Sequence, residues 1–146
     1  MPAAISSEKA QIQTIIDGWA SSVRNKDSNG LIAGFAPDAL LFDLINSLRY
    51  LGANAAKKRA EEWLSSFQGP VDYEVRDLDI TEGDDVAFCH SLNRVSGIKA
   101  DGQKIDMWWR ATVCFRKFVG KWMVSHEHSS VPFDMKSGKA SLDLKP

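Results

Sequence analysis

Cysteine, tyrosine and histidine are scarce in this chain, with two, two and three residues among 146. Two cysteines, Cys89 and Cys114, can build neither the disulfide framework of a small secreted domain nor the ligand set of a structural zinc site. Both fall in apolar-patterned stretches and read as buried, reduced thiols, which points to the cytoplasm. An excess of charge is also missing. The formal charge is −1 and the isoelectric point about 6.3, so no basic field is available to hold DNA or RNA. No apolar run approaches the roughly 18 residues that a membrane-spanning helix needs, and the opening MPAAISSEKAQIQ contains no apolar core of a signal peptide. Neither nucleic acid nor a membrane is expected as a partner. Repeats, low-complexity tracts and linkers are absent as well.

What is present suits one soluble domain. Of the 146 residues 44% are hydrophobic and 25% charged, enough length and apolar content for a single core. The domain is read over residues 1–133, with a polar tail over 134–146. Ser6 or Ser7 can cap a first helix, in which Ile12, Ile15, Ile16, Trp19 and Val23 form one buried stripe. Asp27 or Ser28 caps a short second helix bearing Leu31, Ile32 and Phe35, which Pro37 closes. A short strand follows from Ala39 to Leu44. A third helix over about 55–67 turns Ala56, Ala60, Trp63, Leu64 and Phe67 inward, and Gly69-Pro70 stops it.

From Val71 onward the pattern changes to long strands, Tyr73–Thr81, Val86–Ile98, Ile105–Lys117 and Lys121–His128. Gly83-Asp84, Asp101-Gly102 and Phe118-Val119-Gly120 separate them as hairpin signals. Helices first and a strand meander after predict an α+β fold, a cone-shaped curved antiparallel sheet wrapped by three N-terminal helices. A two-residue turn at Asp101-Gly102 sets Ile98 opposite Ile105 and Arg94 opposite Trp109. Pairing Arg116 with Lys121 sets Phe115 opposite Trp122, Ala111 opposite His126 and Trp109 opposite His128. Strict alternation then puts Trp122, Val124, His126 and His128 on one face, a greasy wall ending in two imidazoles. The other face carries Trp108 and an expected Arg110–Glu127 ion pair. An exposed face bearing a tryptophan predicts a homodimer formed sheet to sheet.

The run WASSVRNKDSNGLIAGFAPDALLFD, Trp19 to Asp43, resembles the first helix, second helix and first strand of ketosteroid isomerase, with its F-A-x-D-A-x-x-x-D ending. RATVCFRKFVGKWMVSHEHSSVP, Arg110 to Pro132, is more similar to the SnoaL-like branch and to the association domain of calmodulin-dependent kinase II. The chain thus resembles the nuclear transport factor 2-like superfamily. The resemblance implies that Asp43 falls on the general base and Trp19 where the isomerase has its oxyanion-hole tyrosine. The second acid of that oxyanion hole would fall near Thr112 or Val113, neither of which is a carboxylic acid, and this argues against steroid isomerisation itself.

The chemistry expected is therefore that of a small-molecule pocket protein, an isomerase, cyclase or dehydratase type of enzyme that abstracts a proton next to a carbonyl without a cofactor. Asp43, among apolar neighbours, is the expected base. His126 and His128 would polarise the carbonyl or return the proton. Trp19, Arg94 and Trp109 would position a small apolar or weakly anionic substrate, with Arg94 stacked on Trp109. His90 reads as a satisfied core histidine. No metal is expected, since His126 and His128 would need a third ligand such as His90 or Asp43. The alternative is a non-catalytic ligand-binding or association module.

Overall fold

The structure, a computed structural model, describes residues 7–146, so the Ser6 cap lies outside the described residues. Helix α1 spans Ser7–Arg24 and buries Ile12, Ile16, Trp19 and Val23, a three- and four-residue spacing that makes one apolar stripe. Its first turn is tied to the far end of the chain. Glu8 Oε2 accepts a hydrogen bond from Lys117 Nζ at 2.9 Å and another from Trp122 Nε1. Helix α2, Ser28–Ile32, starts at Asp27, whose carboxylate accepts from Gly30 N at 3.0 Å.

The second helix is shorter than expected. Phe35 and Pro37 belong to strand β1, Phe35–Phe42. Proline fits there because β1 and its neighbour fall out of register between Phe35 and Leu40, where no backbone donor is required. Strand β2, Tyr50–Leu51, leads through Gly52 into α3, Ala53–Ser65, which buries Ala56, Ala60 and Leu64. Four long strands follow: β3 Phe67–Glu82, β4 Val86–Lys99, β5 Lys104–Phe118 and β6 Lys121–Ser130. Gly69-Pro70 therefore bends a strand rather than ending a helix. Gly97 makes that bend possible, because a Cβ there would stand 3.1 Å from the Phe67 ring and 3.3 Å from Pro70 O.

The strands form one curved, unclosed sheet in the order β2-β1-β6-β5-β4-β3. The fold is α+β as expected, but the sheet is mixed, because β1 runs parallel to β6. Nor do all three helices precede it, since α3 follows β1 and β2.

The register also departs from the expected one, for three local reasons. The β4–β5 turn holds three residues, closed by Lys99 N to Gln103 O at 2.8 Å with Gly102 at φ 88°. Ile98 therefore pairs with Lys104 and Arg94 with Trp108. That one-residue slip turns Ala87, Cys89, Asn93 and Val95 inward and leaves Phe88 and His90 exposed. In β6 a bulge at Ser125 interrupts the ladder. The β5–β6 turn leaves only Val119-Gly120 unpaired, so Lys121 faces Phe118 instead of Arg116 and Phe115 faces Val124 instead of Trp122. Past the bulge Cys114 pairs with His126, and alternation restarts one residue late. The core fills the space between the inner sheet face and the helices, with Phe115, Trp122 and Val124 at its most buried part.

Candidate functional site

Beyond the bulge, Glu127 and Ser129 take the inward positions. They help to line a cavity of about 140 Å³ between the inner sheet face and the helices. Its apolar wall includes Trp19 from α1, Trp63 from α3, Trp109 from β5 and Leu41 from β1. The tryptophans are placed by ordinary patterning. Trp19 continues the α1 stripe and meets Phe35 edge-on at 6.4 Å, while Trp109 meets Tyr73 at 5.7 Å.

Set into this wall are Asp43, Arg59, Tyr73, Glu127 and Ser129. Asp43 lies just past the end of β1. Its Oδ1 accepts from Leu44 N at 2.6 Å, and its Oδ2 lies 3.0 Å from Arg59 Nε. Arg59 sits one turn before Trp63 on α3, which brings both to the cavity. Glu127 pairs along the sheet with Leu41 and Val113. Burial pushes its carboxyl up to about 7, the nearby charge of Asp43 adds to the rise, and a hydrogen bond from Ser129 opposes it.

Tyr73 is fixed by a short polar chain. Ser91 Oγ donates to Asn93 Oδ1 at 2.7 Å, and Asn93 Nδ2 donates to Tyr73 Oη at 2.8 Å. The phenol oxygen is thus an acceptor in the wall, and its own proton remains available to a group in the cavity. Burial holds the phenol well above its ordinary range, so it stays protonated.

Of the residues expected to form a site, Asp43, Trp19 and Trp109 meet at this cavity, while His126, His128 and Arg94 do not. The bulge turns both imidazoles to the opposite face. There His126 Nδ1 bonds Leu40 O at 2.6 Å, and the rings of His126 and His128 stand edge-on to Phe42 at 4.8 and 5.4 Å. Arg94, turned outward by the three-residue turn, makes two bonds to Asp106 at 2.7 and 2.8 Å and lies over Trp108 instead of Trp109. His90 is not a core residue. It is exposed, 3.9 Å from Asp79. Arg110 meets Ser130 rather than Glu127. Cys89 is buried, with a thiol that burial pushes up to about 12, which leaves it inert. Among the described residues no cluster of three histidine, cysteine, aspartate or glutamate side chains could hold a metal ion.

Sequence reasoning missed Glu127, Tyr73 and Arg59. Arg59 could have been found, since Ala56, Ala60 and Trp63 define an inward stripe that includes it. Glu127 could not, because the single extra residue at Ser125 leaves no mark in the apolar pattern.

A tryptophan-walled cavity between three helices and a curved sheet, with carboxyl groups at its polar side, defines a fold class that comparison with other proteins makes specific. The chain belongs to the SnoaL-like domain family, which matches residues 12–134. An NTF2-like protein of unknown function from Pseudomonas putida is 36% identical, with 98% of this chain and 100% of that one covered and a TM-score of 0.86. A proposed calcium/calmodulin-dependent protein kinase II association domain from Xanthomonas campestris is 19% identical, with coverage of 89% and 90% and a TM-score of 0.73. A proposed scytalone dehydratase from Novosphingobium aromaticivorans is 14% identical, with coverage of 84% and 82% and a TM-score of 0.74. The last two share the fold. Comparison with curated proteins gives no match.

Proposed function

We propose that this protein is a cofactor-independent enzyme that moves a proton on carbon next to a carbonyl, in an isomerisation or an elimination on a small, largely apolar substrate. Glu127 takes the proton and returns it, to a second carbon in an isomerisation or, in an elimination, to the departing hydroxyl, released as water as its bond to carbon breaks. Tyr73 donates its hydrogen bond to the carbonyl oxygen as negative charge develops there. Asp43, the base implied by the family resemblance, is engaged through both oxygens, with Leu44 N–H and Arg59. In this reading its negative charge adds to the burial that raises the neighbouring Glu127. The observation that carries the reading is a carboxyl group raised to about 7 inside an apolar cavity that also presents a free phenol proton.

The test is deuterium uptake at the carbon next to the carbonyl, followed by NMR for a panel of small cyclic ketones in D2O. Wild-type protein should accelerate uptake for at least one ketone, and Glu127→Gln should lower that rate by about 100-fold or more. Uptake no faster than in buffer across the panel, or uptake unchanged in Glu127→Gln, rejects the reading.

Association of two copies through the outer sheet face is a second reading, favoured by an outward Trp108 lying between Arg76 and Arg94 at 5.9 and 5.8 Å. Trp108→Glu should lower the sedimentation coefficient if that face joins the copies, and an unchanged value removes it.

A further inference from the structure

The cavity holds a cation whose donors the protein does not match. Arg59 is mostly buried, and its charge is met by one carboxylate oxygen, Asp43 Oδ2, 3.0 Å from Nε. That contact lies off the line of the Nε–H bond. Nε is buried without a hydrogen bond, and no other hydrogen bond from this guanidinium exists among the described residues. Asp43 is oriented by the backbone through Leu44 N–H rather than by Arg59. The two charges are neighbours without forming the two-pronged pair that arginine and a carboxylate make when free to choose. The lost hydration of Nε is not recovered, while the two terminal nitrogens stay open to solvent and so to a ligand.

What would satisfy Arg59 is a planar, two-oxygen anion, which the guanidinium fork fits. The surrounding wall is aromatic, formed by Trp19, Trp63 and Trp109. The volume, about 140 Å³, is near that of the roughly 150 Å³ apolar cavity that takes up benzene. A second cation stands close by. Lys99 is bonded to Ser66 Oγ at 2.8 Å at the end of α3, and burial and then the charge of Arg59 lower its ammonium from the ordinary range. Against an anion stand Asp43, already beside Arg59, and Glu127, which is largely protonated below neutrality.

We infer that the cavity takes a single-ring monocarboxylate, with the carboxylate received by the Arg59 fork and the ring held among Trp19, Trp63 and Trp109. As a statement about the substrate this rests on the proton-transfer reading above. As a statement about binding it stands by itself.

The probes are benzoate and its neutral isostere benzamide, titrated into the whole protein at pH 6.5 and followed by tryptophan fluorescence and calorimetry. Benzoate should bind at least tenfold more tightly than benzamide. Arg59→Gln should erase that preference while leaving benzamide affinity within about twofold. Because Arg59→Gln leaves Asp43 without a counter-ion, the double variant Arg59→Gln/Asp43→Asn is measured beside it, with circular dichroism to show that it folds, and should show the same loss. Equal or tighter binding of benzamide overturns the inference. So does a benzoate preference that survives in the folded double variant, or an absence of binding by both probes. These outcomes are separable from the deuterium-uptake test, since benzoate and benzamide carry no hydrogen on the carbon next to the carbonyl. Failure there with benzoate bound rejects the chemistry and keeps the ligand class.

Discussion

Strand β6 is two different strands on either side of Ser125. Before it, Trp122 and Val124 point inward, are 2% and 0% exposed, and close the core. After it the inward positions belong to Glu127 and Ser129, which face a cavity. The backbone continues and the neighbours are the same two strands. The lesson is that one unpaired residue divides a structural half from a chemical half, and exchanges imidazoles for a carboxyl group at the cavity wall.

The contrast can be broken most strongly on the structural side. Trp122→Ala should cost about 3–5 kcal/mol, from lost burial and an unfilled cavity. The midpoint of urea unfolding measures it, and a loss below about 1 kcal/mol would show that Trp122 does not close the core.

The chemical half should show itself in the dependence of stability on pH. The Glu127 carboxyl is raised in the folded state to about 7 from an ordinary 4.5. Between those values the folded state holds a proton that the unfolded state has released. Stability is therefore fully present at the acid side of this window, declines as the pH rises through it, and levels off about one unit above the folded value. The decline amounts to at most about 3 kcal/mol, from 1.36 kcal/mol per unit. Glu127→Gln should flatten this segment and be the more stable protein at pH 8. Unfolding curves of both proteins from pH 4.5 to 8 decide it, and parallel curves would reject the buried carboxyl.

Smaller effects should come from the displaced imidazoles. His126→Ala loses the bond to Leu40 O and should cost about 1 kcal/mol, while His128→Ala should stay within about 0.5 kcal/mol. Neither should change deuterium uptake by more than about twofold, and a large loss in either would restore the imidazoles to the mechanism.

Much of the fold was legible in the sequence because its signals are local. The α1 stripe, the Asp27 cap and the long strands announce themselves within a few residues. The parallel pairing of β1 with β6 is not local, since it joins Leu40 to His126 and Leu41 to Glu127, and no turn links the two strands. The site suffered from two parity errors. A three-residue turn where two residues were expected moved Arg94 outward. The bulge at Ser125 did the same to His126 and His128. Trp19 and Trp109 sit on elements whose phase was read correctly, and Asp43 was placed by its family resemblance. Tyr73 and Asn93 were lost because their link crosses from β3 to β4.

The position of β1 also governs the order in which the molecule can be assembled. Its ladder partners are a two-residue strand and β6, so the earliest strand to leave a ribosome has no wide neighbour until the latest one emerges. Closure between such distant segments is slow in general. During that interval the apolar side of β1, together with the helices on either side of it, waits uncovered. A chain halted before Lys121 would therefore keep its three-strand meander but present an open flank, and should be recovered as aggregates or in the hands of chaperones.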